Sequence, residues 1–128
     1  MQRRTAGEPA VTPRRGDVVL VRFPFASGAG GKLRPALVVQ NDRDNQRLAN
    51  VVLAAITTRT HHSGEPTQRL IDPQAPEGAN TGLRHVSVVS CENLATVEKQ
   101  LIVKRLGGLS PSLMNEVDEC LKAALGLV

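Results

Sequence analysis

Aromatic side chains are almost missing from this chain of 128 residues: it has no Trp, no Tyr and only two Phe. Its core must therefore be aliphatic, and any binding of nucleic acid on a platform of stacked aromatic rings is disfavoured. No apolar run approaches the ~20 residues that span a bilayer. The arginines of MQRRTAGEPAVTPRR are followed by no apolar stretch, so the N-terminus does not read as a secretory signal. The two cysteines, Cys91 and Cys120, lack a metal-binding spacing. Without an export signal they are expected to be reduced thiols of a cytoplasmic protein with no membrane association. Cys91 could be a nucleophile, but a free cysteine more often serves as a small buried hydrophobe. No internal repeat and no second domain are visible.

The hydrophobic content of 41% over this length suits one domain with one core. The net charge of +4 points towards a polyanionic partner. Its distribution tempers that reading. Residues 1–15 hold Arg3, Arg4, Arg14 and Arg15 against Glu8, a balance of +3 that leaves +1 for the remainder. Residues 1–14 are expected to be a disordered tail and 15–128 the folded domain.

GDVVLVRF (16–23) reads as a first strand, nearly continuous in Val and Leu and bounded by Gly16 and Pro24. PFASGAGGK (24–32) is a loop of small residues, expected to be a mobile flap. It lacks the GK[ST] ending and following helix of a phosphate loop. RPALVVQ (34–40) is a second strand, with Pro35 at its beginning because proline has no N–H to give a ladder. Residues 41–49 read as a polar turn and NVVLAAIT (50–57) as a third strand. TQRLID (67–72) is a short strand, HVSVVSCENLATV (85–97) a strand running into a turn, and QLIVKRLGGL (100–109) a final strand and turn. The period then changes. Leu113, Val117, Leu121 and Leu125, with Cys120 and Ala124 beside them, mark one face of a helix. Ser110 fits its N-cap, Pro111 its first position, and Gly126 its end. Several short strands followed by one helix suggest a mainly β fold, a small barrel with a helical cover.

Arg34 is the first candidate for chemistry. A guanidinium at a rigid strand start, beside a loop that can open, suits bidentate binding of a phosphodiester and stabilisation of its transition-state charge. A surface arginine ending a loop is the ordinary alternative. Thr57 closes the buried run VVLAAI, so its hydroxyl either reaches the surface or lines a pocket, where it could donate to a phosphate or ribose oxygen. Thr58 would point to the opposite face. His61, His62 and His85 could transfer protons near neutral pH. No Cys, Asp or Glu stands at ligand spacing beside the histidine pair, so neither a metal nor another cofactor is expected. Ser87 and Ser90 read as strand-edge polar residues.

RRGDVVLVRFPF, the glycine-rich loop, KLRPALVVQND, VVLAAITT, SVVSCENLATVEKQLI and GGLSPSLMNEVDECLKAALGL occur in an order that resembles the MazF/PemK family of toxin endoribonucleases from type II toxin–antitoxin modules. The resemblance covers 15–127. It implies an SH3-like barrel with a C-terminal α-helix, a homodimer, and sequence-specific, metal-independent cleavage of single-stranded RNA, mainly mRNA, to 2′,3′-cyclic phosphate and 5′-OH ends. A cognate antitoxin is implied as partner. The arginine of the RP motif and the threonine of the IT motif map onto Arg34 and Thr57 as the catalytic pair. RNA contacts are expected from Lys32, Thr58, Arg59, His61 and Arg84, under a flap containing Ser27, Gly28, Gly30 and Gly31. Where the family commonly shows an Asp-Gln pair this chain has Glu92 and Asn93, and Ala95 replaces a frequent arginine. Those departures bear on substrate preference. The competing readings are a non-catalytic toxin of the same barrel type that binds a protein such as gyrase, and a plain nucleic-acid-binding module.

Overall fold

The computed structural model describes residues 12–23 and 32–127. Its elements are β1 (Asp17–Phe23), β2 (Lys32–Val38), α1 (Asp42–Arg47), β3 (Asn50–Thr57), β4 (Gln68–Ile71), β5 (Ser87–Glu98), β6 (Ile102–Gly108) and α2 (Pro111–Leu125), with short 3₁₀ turns at Pro76–Gly78 and Lys99–Leu101. All recorded strand pairs are antiparallel, in the order β4-β5-β3-β2-β1-β6.

Both faces of this sheet are apolar, which forces its shape. Alternate residues supply two buried clusters. One holds Val18, Leu37, Ile56, Val89 and Cys91, and α2 covers it with Leu113, Val117 and Cys120. The other holds Val19, Val21, Ala36, Val38, Val51, Leu53, Val97 and Ile102, drawn from five strands with no helix over them. The sheet buries that second face by curling onto itself. The linkage requires it: β5 and β6 occupy the second and sixth places in the sheet, which in a flat sheet lie about 19 Å apart. Glu98 and Ile102, four residues apart, span at most about 14 Å even fully extended. The result is the expected mainly β barrel with a helical cover.

Three local readings of the sequence change. Residues 41–49 are not only a turn, since α1 forms within them. Asn41 caps it, accepting from the Asp44 N–H at 2.9 Å, and Asp42 and Asp44 sit at the positive end of the helix. Periodicity gave no warning because α1 has no apolar stripe; its buried residue is Asn45, which donates to the Gln40 carbonyl at 2.9 Å. The turn expected within residues 85–97 is instead a bulge inside one continuous strand. Ser90 pairs with Ala55 but Leu94 pairs with Ala54, so Cys91, Glu92 and Asn93 are extra. In α2, the Ser110 cap and Pro111 stand as expected and Gly126 ends the helix at φ 71°. Leu125, however, is 57% exposed. A strict spacing of four drifts by about 40° per step on a helix of 3.6 residues per turn, so after three steps Leu125 has left the buried face.

Of the N-terminal residues, 12–14 are described. Pro13 is buried, and the Arg14 N–H donates to Asp17 Oδ2 at 2.9 Å. The rest of the expected tail and the expected flap residues Ser27, Gly28, Gly30 and Gly31 lie outside the described residues.

Gly107 gives a direct test of the packing behind β6. A Cβ there would stand 2.3 Å from the Asn80 carbonyl oxygen and 2.5 Å from the Thr81 carbonyl carbon. Both are backbone atoms that cannot turn aside. Gly107→Ala is expected to destabilise the fold by about 1–3 kcal/mol, read from the midpoint of chemical denaturation.

Candidate active site

One row of directly paired residues crosses the sheet: Val19, Ala36, Ala55, Ser90 and Gln68, on β1, β2, β3, β5 and β4. Residues paired in this way project from the same face. Val19 and Ala36 lie in the barrel core, so the row carries the inner face outwards from apolar interior to polar rim. Two residues along β2 and β3 the same face presents Arg34 and Thr57. The recorded β2–β3 ladder stops at Ala36–Ala55. Continuing its register by two places sets Arg34 opposite Thr57. Pro35 stands between, and its missing N–H means the ladder cannot close there.

A cleft of about 540 Å³ opens at this end of the barrel. Arg34 and Thr57 line it, with Arg59, His61 and His62 from the β3–β4 loop, Gln68 from β4, and Ser90, Glu92 and Asn93 from β5. Ala55 lies in its floor, and its small side chain leaves room there. Arg34 is exposed, and its guanidinium makes no hydrogen bond or ion pair among the described residues. Thr57 is half-buried; its Oγ1 accepts from the Arg59 N–H at 3.1 Å. That bond uses an acceptor site of the hydroxyl and leaves its proton free to donate. The His61 and His62 rings lie 4.2 Å apart between centroids, tilted by 53°.

The opposite wall is held by side-chain pairs. Asn93 Nδ2 donates to Ser90 Oγ at 2.8 Å, and Gln68 Nε2 donates to Glu92 Oε1. The Cys91 N–H donates to the Thr67 carbonyl at 2.9 Å, fixing the bulge against the start of β4. Cys91 itself points the other way, fully buried under α2. Burial pushes its thiol from about 9 up to about 12, so Cys91 has none of the thiolate character a nucleophile needs.

The sequence candidates thus separate. Arg34, Thr57, Arg59 and His61 come together in the cleft, joined by His62. Lys32, Thr58 and Arg84 are exposed and do not line it, nor does His85. Ser90 is buried in the wall rather than standing at a strand edge. Gln68, Glu92 and Asn93 were not singled out as site residues. The family departure at Glu92 and Asn93 was the one available signal. Among the described residues, no group of three or more His, Cys, Asp or Glu side chains could hold a metal ion.

A family model for PemK-like, MazF-like toxins of type II toxin–antitoxin systems matches residues 14–125. The chain belongs to this family. The endoribonuclease EndoA of Bacillus subtilis (strain 168) is 32% identical over 116 residues, covering 90% of this chain and 96% of the relative. Among solved structures, a mycobacterial endoribonuclease in complex with its cognate antitoxin superposes with a TM-score of 0.72 at 28% identity, over 91% of this chain and 97% of that one. The Mycobacterium tuberculosis toxin MazF-mt6 gives 0.71 at 26% identity, over 88% and 98%. Among MazF/PemK toxins this chain therefore has the fold over nearly its whole length, and its relatives are endoribonucleases.

The buried thiol makes two expectations. Iodoacetamide at pH 8 should leave Cys91 unmodified in the folded protein and alkylate it after denaturation, as mass spectrometry would show. The folded state also holds the thiol proton to a higher pH than the unfolded chain does. Its contribution to stability is intact below about pH 9 and is lost as the pH climbs towards about 12. Denaturation midpoints measured across that range should fall.

Proposed function

We propose that this chain is the toxin of a type II toxin–antitoxin pair and cleaves single-stranded RNA, mainly mRNA, at specific sequences without a metal ion. The observation that carries the reading is the Arg34 guanidinium, without a partner among the described residues, lining one cleft with Thr57 at the polar end of the barrel face. RNA brings its own nucleophile, the ribose 2′-OH. Its oxygen attacks the adjacent phosphorus as its proton leaves, the bond to the 5′-oxygen breaks, and that oxygen takes up a proton. The products are a 2′,3′-cyclic phosphate and a 5′-OH end.

Each part has a matching group. The Arg34 guanidinium donates to the non-bridging oxygens as negative charge gathers on phosphorus. Thr57 donates from a hydroxyl already oriented by the Arg59 N–H. Arg59 adds a second cation at the rim, and His61 and His62 are imidazoles able to take or return a proton. The non-catalytic reading gives no reason for an arginine and a threonine to share an open cleft with two histidines.

Arg34→Ala should keep its fold, since the side chain is exposed, and lose RNA cleavage by about 100- to 1000-fold. Thr57→Ala should also be impaired, and Thr58→Ala, outside the cleft, much less. Gel analysis of a long RNA with purified variants measures this. Excess EDTA should leave wild-type cleavage intact. Activity abolished by EDTA and restored by magnesium would sink the metal-independent mechanism, and Thr58→Ala as the worse mutant would overturn the assignment of Thr57.

Two assembly features belong to the same proposal. The toxin acts as a homodimer with RNA running across the dimer face, and a cognate antitoxin silences it by laying an acidic, initially disordered tail into the RNA site. Such a tail can offer carboxylates to Arg34 in place of phosphate, and folding on binding lets a short segment cover a large surface. Light scattering at micromolar concentration should show the dimer. The product of the adjacent gene should co-purify and suppress cleavage; a bound partner that leaves cleavage at full rate would refute this mode of control.

A further inference from the structure

The cleft wall facing Arg34 and Thr57 is not needed for charge stabilisation, yet it is the most ordered polar arrangement of the site. It consists of the bulge residues Glu92 and Asn93 with their partners Gln68 and Ser90, standing around the open floor at Ala55. The donors and acceptors of this wall are unbalanced. Gln68 Nε2 is committed to Glu92 Oε1, and Asn93 Nδ2 to Ser90 Oγ. Gln68 Oε1 is buried and has no hydrogen-bond partner among the described residues. Turning the Gln68 amide over would set that oxygen against the Glu92 carboxylate, so the carboxylate fixes its orientation. Glu92 retains Oε2 and further lone pairs on Oε1. The wall therefore presents spare acceptors on the exposed Glu92 carboxylate, with the Gln68 oxygen behind it.

We propose that this wall reads one RNA base, and that the base is guanine, held over Ala55 with its Watson–Crick edge against Glu92 and Gln68. Guanine presents two adjacent donors on that edge, N1–H and the N2 amino group, which match a carboxylate accepting side by side. Adenine and cytosine present one amino donor beside a ring nitrogen that is itself an acceptor. Uracil presents one N–H between two carbonyls. Against each of these, one acceptor of the wall would meet another acceptor. The bulge gives this reading its position: the three extra residues of β5 bring Glu92 to the cleft while Arg34 and Thr57 stay on regular strands. The inference rests on the RNA-cleaving reading of the cleft and adds its base preference.

The test has two independent arms. In the first, the 5′-OH ends made by wild-type protein from a mixed RNA pool are mapped by sequencing. Guanine should be enriched at one fixed position beside the cut. Glu92→Gln, which replaces an acceptor oxygen with a donor on an exposed side chain, should reduce that enrichment about ten-fold and leave the other positions of the site unchanged. Replacing that guanine with inosine, which lacks the N2 amino group, should slow wild-type cleavage and scarcely affect the variant. In the second arm, the four nucleoside 5′-monophosphates are titrated while the Gln68 side-chain amide is followed by NMR. Guanosine monophosphate should shift that resonance at the lowest concentration, and Glu92→Gln should abolish its advantage.

Cleavage with no guanine enrichment, or an enrichment that survives Glu92→Gln, overturns the inference and leaves the nuclease reading standing. A wild-type protein that cuts no RNA but binds guanosine monophosphate selectively through Glu92 has the reverse meaning. Equal shifts from all four nucleotides also overturn the inference.

Discussion

The 3₁₀ turn Lys99–Leu101 imposes the constraint on which the rest of the molecule depends. It ties the second strand of the sheet to the sixth, and the sheet can satisfy it only by curling. The turn is itself held in place. Lys99 is buried, its backbone N–H donates to the Ala49 carbonyl at 2.9 Å, and its ammonium donates to the Asn45 carbonyl in the last turn of α1. A cation at the negative end of a helix is a favourable placement. Once the sheet is curled, its inner face is enclosed along most of its length and emerges into solvent at one end. Arg34 and Thr57 lie on that face by strand parity. The site is the polar continuation of the core, which is why its members sit on backbone that the core has already made rigid.

Net charge is the wrong scale on which to judge this protein's affinity for a polyanion. The folded portion carries only a small excess, and several of its arginines are paired with carboxylates away from the cleft. Arg15 reaches Asp118 at 2.7 Å, Arg69 reaches Glu116 at 2.9 Å and Glu77 at 3.3 Å, Arg105 reaches Asp17 at 2.9 Å, and Arg47 reaches Asp44 at 3.0 Å. Pairs this accessible add little stability, at most about 1 kcal/mol each. Their larger effect is to cancel positive charge away from the cleft. Arg34 and Arg59 have no such partner among the described residues and face the same opening. Local imbalance, rather than the total, would draw a phosphodiester to that end of the barrel.

How much of this was legible in the sequence depended on whether the signal was local. Asn50–Thr57 forms β3 over the residues its apolar run marked, and the Ser110, Pro111 and Gly126 signals bound α2 as written, because caps and strand runs are decided by neighbours. The six-residue α1 is also local, but it rests on a cap and a buried asparagine rather than on periodicity. The bulge at Cys91–Asn93 could not be read at all. It exists only as a mismatch between β5 and β3, and nothing within SVVSCENLATVE distinguishes a shift from a turn. The site divides in the same way. Arg34 and Thr57 were found from motifs within single strands. Gln68 and Ser90 enter only through pairing across β4, β5 and β3, and Ala55 only as a gap in a row that no linear pattern displays.

Cys91 shows how the two halves of the molecule meet. It opens the bulge, so its neighbour Glu92 is thrown outwards while its own side chain turns inwards. There Cys91 packs with Leu113, Val117 and Cys120, and its sulfur lies 3.9 Å from the Val117 carbonyl oxygen. The apolar face of α2 thus seats the residue that precedes Glu92 in the cleft wall. Arg34 and Thr57 depend on a different foundation, the β1–β2–β3 register over the inner core. Changes at Glu92 and Asn93 can therefore reshape the cleft wall without moving Arg34 or Thr57. The bulge is a part of the cleft that lies outside the regular β3–β5 register.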